Sequence, residues 1–104
     1  RAAELGFTAP IVGHVGDGNF HTLLLIDTDN PAEIERAETF IGWLNDLALS
    51  MDGSCTGEHG IGQGKRRYLA KELGPMLGYM AQVKSALDPT GIMNPGKIFP
   101  ASRE

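Results

Sequence analysis

The pattern of apolar and polar positions near the start of the chain predicts a β-hairpin. Residues 11–16 form a short apolar-rich segment, and residues 19–27 form a second one. Asp17 and Gly18 lie between them, and this pair favours a two-residue type I′ turn, in which both central residues have positive φ. In that register His14 lies directly opposite His21, and opposed side chains point to the same face.

The next segment has the spacing of a long amphipathic helix. Asn30 can cap its N-terminus, Pro31 suits the first helical position, and Glu33 suits the third. Asp52 and Gly53 are expected to end it. Residues that recur at helical spacing predict one buried stripe, formed by Ile34, Ala37, Ile41, Leu44 and Ala48.

The second half of the chain begins with a glycine-rich segment and continues with two shorter helices. Residues 54–64 contain four glycines and could form a short strand that leads into a loop. Residues 65–73 predict a helix that Gly74 stops, and Pro75 begins another, which ends at Asp88 and Pro89. The apolar face of that last helix would carry Met76, Met80, Val83 and Leu87.

This order of elements predicts the α+β class with a small antiparallel sheet. The length of 104 residues allows one small domain, and the net charge of −4 argues against a nucleic-acid partner. The basic cluster at residues 65–67 is short and is interpreted as the solvated first turn of a helix. No apolar run approaches a transmembrane length. Cys55 is the only cysteine, so no internal disulfide is possible. Because Cys55 has no charged base beside it, it is expected to be a small packing residue.

The hairpin places two imidazoles where they could share one divalent metal. Opposed positions bring Cβ atoms to about 4.5–5.5 Å, and metal–nitrogen bonds are about 2.0–2.1 Å long. The alternative is that His14 and His21 pack or hydrogen-bond across a sheet without any metal. A register slip of one residue would send them to opposite faces.

The glycine-rich segment carries a second pair of chemically useful side chains, Glu58 and His59. Glu58 could complete a site of two histidines and one carboxylate, which leaves coordination positions open for water or substrate. His59 could point to the other side and act as a proton acceptor. The alternative is a surface turn in which both residues are solvated. The spacing fits neither the P-loop nor the dinucleotide-binding glycine pattern.

Taken together, three separated motifs resemble the C-terminal domain of FAD-linked oxidases of the vanillyl-alcohol-oxidase type. Within that family the resemblance is greatest to the cytochrome-type D-lactate dehydrogenases, the glycolate oxidase catalytic subunit and D-2-hydroxyglutarate dehydrogenase. It extends over residues 11–100. The motifs are Gly13-His14-Val15-Gly16-Asp17-Gly18-Asn19-Phe20-His21, Cys55-Thr56-Gly57-Glu58-His59-Gly60-Ile61-Gly62 and Met93-Asn94-Pro95-Gly96-Lys97-Ile98.

The resemblance implies a fold and a set of roles. The fold would be a ferredoxin-like antiparallel sheet with helices on one face, in a cap domain that covers the flavin. The metal ligands would be His14, His21 and Glu58, with zinc as the expected metal. His59 would be the catalytic base, and Asn94 would contact the cofactor.

The resemblance also implies partners and a location. Residues 1–104 would be a C-terminal piece of an enzyme that oxidises a D-2-hydroxy acid, inactive by itself. FAD would be bound mainly by an N-terminal domain outside this chain. A bacterial enzyme would be cytoplasmic or peripheral to the membrane, and a eukaryotic one mitochondrial. The exposed face of such a piece could self-associate.

Two other function classes are consistent with the same residues. The first is a non-catalytic metal-binding module. A structural zinc site normally has four protein ligands, and His59 is the candidate for the fourth. The second is an interaction module without a cofactor, which would show a large exposed apolar face.

Overall fold

A computed structural model describes residues 1–99 of the chain, and Pro100 of the predicted tail lies outside them. The chain divides into two compact units, Arg1–Gly53 and Ser54–Glu104. The elements confirm the α+β class; the ferredoxin-like sheet is not confirmed, because the described residues form one sheet of two strands. In chain order the elements are β1 (Ile11–Val12), β2 (His21–Thr22), α1 (Pro31–Ser50), α2 (Arg66–Leu73) and α3 (Met76–Leu87).

The predicted hairpin is present in the first unit, with shorter strands and a different register. β1 and β2 are antiparallel, with Ile11 opposite Thr22 and Val12 opposite His21. The prediction that His14 lies directly opposite His21 is therefore wrong by two residues. The observed register continues beyond the strands through two backbone hydrogen bonds, Leu23 N–H to Pro10 O (2.9 Å) and Leu25 N–H to Thr8 O (3.2 Å).

The register differs because the turn is longer than the sequence predicted. The N–H groups of Asp17 and Asn19 both donate to the carbonyl oxygen of His14, at 2.9 and 3.3 Å. A short 3₁₀ turn, Val15–Asp17, fills the loop, and Gly18 closes it with φ 75°. A type I′ turn would require positive φ at both Asp17 and Gly18, whereas in the observed turn only Gly18 has a positive φ.

At Gly13 the two sides of the hairpin approach closely. The φ of Gly13 is 152°, a backbone conformation that residues other than glycine rarely adopt. A Cβ atom at Gly13 would lie 2.6 Å from both the carbonyl oxygen of Asn19 and the Cα atom of Phe20. Both neighbours are backbone atoms, so the hairpin beside His14 requires glycine here.

Helix α1 begins and ends as the sequence predicts. The side-chain oxygen of Asn30 accepts a hydrogen bond from Ala32 N–H at 3.1 Å, which satisfies one free N–H group of the first turn. At the other end Asp52 adopts φ 61°, and Gly53 N–H donates to the Ala48 carbonyl oxygen at 2.8 Å. This left-handed end with its backward hydrogen bond is a Schellman-type C-cap.

The buried face of α1 is narrower than the predicted stripe. Of the five predicted positions only Ala37 is buried, and Phe40 beside it is 4% exposed. Phe7 contacts Phe40 edge-on, with ring centroids 6.3 Å apart. Trp43 also lies against Phe40, but 38% of its surface is exposed. The small core of the first unit is therefore centred on Phe40.

The second unit consists of a loop, a pair of helices and a tail. Residues 54–64 form no strand, so the short strand considered for this segment is absent and the segment is a loop. Tyr68 and Leu69 of α2 and Cys55 of the loop are buried, which confirms the packing role predicted for Cys55. Gly74 ends α2 as predicted, with its N–H donating to the Ala70 carbonyl oxygen at 2.9 Å.

Helix α3 follows its predicted bounds but is not buried. It runs over Met76–Leu87, and none of its residues is buried. Within residues 1–99, no helix has both the length and the apolarity that crossing a membrane requires. The apolar face predicted for α3 is exposed at Met76, Met80, Val83 and Leu87.

The close approach at Gly13 predicts a large effect of a single methyl group. Gly13→Ala should lower the free energy of unfolding by about 1–3 kcal/mol, from backbone strain and from the contact with the opposing backbone. Gly16→Ala is the matched control, because its Cβ would meet nothing within 4 Å and its φ is not positive. Thermal unfolding of the two variants measures the difference. Equal stabilities would show that the hairpin tolerates a side chain at residue 13.

Candidate functional site

The two predicted histidine ligands lie in the hairpin of the first unit. His14 begins the turn, with φ −94° and ψ 68°, and His21 is the first residue of β2. His14 is exposed and His21 is half-buried. Between them, the side-chain oxygen of Asn19 is buried and has no hydrogen-bond partner among the described residues. The turn thus holds an unsatisfied oxygen acceptor between two imidazole-bearing residues.

The other predicted pair, Glu58 and His59, lies in the loop of the second unit. His59 Nε2 is 3.4 Å from Glu58 Oε1, so the two side chains face each other and not opposite sides as predicted. Glu58 is 38% exposed and His59 is 77% exposed. Both side chains are accessible to solvent. A carboxylate beside an imidazole forms an ion pair when the imidazole is protonated.

A carboxylate from α2 fixes the start of this loop. Glu72 Oε2 accepts a hydrogen bond from Cys55 N–H at 3.2 Å, and the Glu72 side chain is also hydrogen-bonded to the side chains of Cys55 and Ser54. Partial burial acts to raise the pKa of Glu72, but these hydrogen bonds outweigh it, and the pKa lies below its ordinary value of 4.5. Glu72 is therefore a charged acceptor for the loop.

The pKa of the Cys55 thiol is shifted in the opposite direction, above its ordinary value. Burial raises the pKa of Cys55 to about 11, and the hydrogen bond to Glu72 and the charge of that carboxylate act in the same sense. A thiol with this pKa is almost entirely protonated near neutral pH. Cys55 therefore packs as a neutral group and is no candidate nucleophile.

The end of the loop is fastened to the tail. Ile98 N–H donates to the Gly62 carbonyl oxygen at 2.7 Å. Arg66, the first residue of α2, donates from Nη1 to the Gly96 carbonyl oxygen at 3.1 Å and from Nε to that of Gln63 at 3.3 Å. These bonds hold residues 96–98 beside the loop that carries Glu58 and His59. The interpretation of Arg66 as only a solvated helix residue is thus incomplete.

Asn94 lies in the same tail, at the turn that the sequence predicted. Its φ is 46°, and its carbonyl oxygen accepts a hydrogen bond from Lys97 N–H at 3.4 Å. Asparagine is one of the few residues that adopt this left-handed conformation readily. The turn is confirmed, and the cofactor contact of Asn94 stays a prediction.

Asp88 organises the start of the tail, a role that the sequence analysis missed. Its side chain is 3% exposed, and it accepts hydrogen bonds from Ile92 N–H at 3.1 Å and from Met93 N–H at 3.0 Å. Lys84, one turn earlier on α3, forms an ion pair with it. The Lys84 ammonium, together with the two N–H groups, lowers the pKa of Asp88. The sequence showed only a helix-stopping pair at residues 88 and 89.

Comparison with known proteins places the chain in a family. Residues 1–98 match the model of the C-terminal domain of FAD linked oxidases. The chain is 52% identical to a probable mitochondrial D-lactate dehydrogenase of Danio rerio, over 88% of this chain and 19% of that protein. It is 50% identical to the mitochondrial D-lactate dehydrogenase [cytochrome] of Arabidopsis thaliana, over 86% of this chain and 16% of that protein.

A bacterial relative with a different name is also similar. The chain is 41% identical to the glycolate oxidase subunit GlcD of Escherichia coli K12, over 86% of this chain and 18% of that protein. The chain thus spans about a fifth of the length of the curated relatives it matches, and most of each relative lies beyond the matched segment.

The contacts of Asp88 predict an acid-sensitive stability. Because its pKa is lower in the folded state, ionised Asp88 stabilises the fold fully above its ordinary value of 3.8, and this contribution is lost as pH falls through the lower folded value. Asp88→Asn should lower the melting temperature at about pH 6, and the difference from the unsubstituted protein should shrink below about pH 4.

Thermal unfolding between about pH 2 and about pH 6 measures this effect. Asp29→Asn, at an exposed position, is the control and should change the melting temperature little at any pH. A deficit of the Asp88 variant that stays constant across this range would contradict the assignment.

Proposed function

Since the chain belongs to the family of FAD linked oxidase C-terminal domains, we propose that it is part of an FAD-dependent enzyme that oxidises a D-2-hydroxy acid to the 2-oxo acid. The observation that carries the proposal is the Glu58–His59 pair, two exposed side chains 3.4 Å apart on a loop between glycines. D-lactate is the favoured substrate, because relatives at 52% and 50% identity are named D-lactate dehydrogenases. In a eukaryotic cell the enzyme would be mitochondrial, as those relatives are named.

In this proposal FAD is bound mainly by the part of the full-length protein outside residues 1–104, and this chain covers the substrate. FAD bound there would supply the acceptor for the hydride from C2 of the substrate. Asn94 is the proposed cofactor contact from this chain. Its left-handed conformation fixes the direction of the tail in which it lies.

We assign His14, His21 and Glu58 as ligands of a divalent metal. Two imidazoles and one carboxylate fit zinc, and fewer than four protein ligands leave room for a substrate oxygen. The unsatisfied side-chain oxygen of Asn19 in the same hairpin is consistent with an unfilled polar site. When bound, such a metal lowers the pKa of the substrate hydroxyl. Glu58 has two carboxylate oxygens, so one can bind the metal while the other stays beside His59.

His59 is the proposed base. With 77% of its side chain exposed, its imidazole is accessible to a substrate hydroxyl. In the neutral form it takes the hydroxyl proton as the C2–H electron pair leaves with the hydride. The carboxylate of Glu58 at 3.4 Å then stabilises the imidazolium that forms.

The metal assignment predicts a joint loss of metal and turnover. In the full-length enzyme, His14→Ala or Glu58→Ala should lower metal content strongly and reduce turnover at least about 100-fold, since each variant removes one of few ligands. Glu38→Ala, which removes an exposed carboxylate of α1, is the control. Elemental analysis and steady-state kinetics are the measurements. Undiminished metal content and turnover would remove the metal from the proposal.

The base assignment predicts a loss of chemistry without a loss of metal. His59→Asn in the full-length enzyme should slow flavin reduction by the substrate about 10²- to 10⁴-fold while metal and flavin content stay unchanged. Stopped-flow recording of flavin absorbance measures the rate. Flavin reduction at the unsubstituted rate would show that another group accepts the proton.

A further inference from the structure

Glu72 is the residue of α2 that joins the helix to the start of the loop carrying Glu58 and His59. We propose that Glu72 is a positioning residue for this pair, an inference that rests on the proposed function. Its carboxylate accepts a hydrogen bond from Cys55 N–H at 3.2 Å, which links α2 to the start of the loop. Within the loop itself, the Ser54 hydroxyl oxygen accepts a hydrogen bond from Thr56 N–H at 3.2 Å, so Glu72 is the contact that ties this end to α2.

The anchor joins two parts of the second unit that contain buried residues. Glu72 lies near the end of α2, whose residues Tyr68 and Leu69 are buried. Cys55, which it holds, is only 5% exposed. Glu58 follows Cys55 by three residues, so the anchor fixes the chain just before the reacting groups.

The loop itself supplies little restraint. Gly57 and Gly60 flank the pair, and Gly60 has φ 76°. Because glycine backbone is more mobile than that of other residues, the position of Glu58 and His59 depends in part on the two ends of the loop. The Ile98–Gly62 hydrogen bond holds the far end. Without Glu72 the near end is free to shift, and a misplacement of about 1 Å in an active site can slow chemistry about 100-fold.

The position of the acceptor oxygen can be tested apart from its charge. Glu72 acts by accepting a hydrogen bond, and the amide oxygen of glutamine can still accept the backbone bond from Cys55, although a neutral acceptor makes a weaker bond. Two substitutions of Glu72 should therefore have different effects on the loop. Glu72→Ala removes the acceptor, and Glu72→Gln keeps an acceptor at the same distance from the helix.

The test uses the full-length flavin-containing enzyme and single-turnover reduction of the flavin by D-lactate. Glu72→Ala should slow flavin reduction about tenfold or more, with flavin content unchanged, whereas Glu72→Gln should stay within about threefold of the unsubstituted enzyme. Weaker metal retention against a chelator should accompany the alanine variant, since groups that orient a ligand alter metal affinity about 10- to 100-fold. Glu35→Ala, an exposed carboxylate on α1, is the control.

Flavin reduction by Glu72→Ala at the unsubstituted rate, with Glu58→Ala impaired, would overturn the positioning role and leave the proposed function intact. Unimpaired Glu58→Ala and His59→Asn would instead overturn the proposed function. If Glu72→Ala does not fold, Glu72→Asp carries the same test, because it retracts the acceptor by one methylene group. Slow reduction with this variant supports the proposal, and an unchanged rate overturns it.

Discussion

The arrangement of the second unit depends on backbone N–H groups that donate to carboxylates. Glu72 accepts a hydrogen bond from Cys55 N–H at the start of the glycine-flanked loop. Asp88 accepts hydrogen bonds from two successive backbone N–H groups at the start of the tail. Charged acceptors make stronger hydrogen bonds than neutral ones, so a few such bonds can order segments that have no helix or strand of their own. The loop with Glu58 and His59 and the tail with Asn94 are both fixed in this way.

Local patterns in the sequence were sufficient to find the helices. The side chain of Asn30, the ring of Pro31 and the left-handed Asp52 act within one or two turns of the helix they bound, and short-range signals of this kind are visible in a sequence. The family motifs are visible in the sequence for the same reason, because each lies within a few consecutive residues. The match to residues 1–98 confirms the family.

The hairpin register and the loop anchors could not be found in that way. An Asp-Gly pair is compatible with more than one turn, and the choice depends on the close approach at Gly13, which involves backbone six and seven residues away. Arg66 contacts Gly96 over 30 positions, and Glu72 contacts Cys55 over 17. Single charged residues at such separations carry no periodic signal, so only coordinates reveal that they fasten the loop.

The protonation state of the Cys55 thiol has a practical consequence for measuring loop motion. Cys55 is the only cysteine of the chain, and a pKa of about 11 leaves well under about 0.1% thiolate near neutral pH. The thiolate is the nucleophile that attacks maleimides and spin-label reagents, so the native thiol reacts far more slowly than an exposed engineered one. A pair of labels within the second unit, one beside His59 and one on the outer surface of α3, would report distances across that unit without replacing the native cysteine.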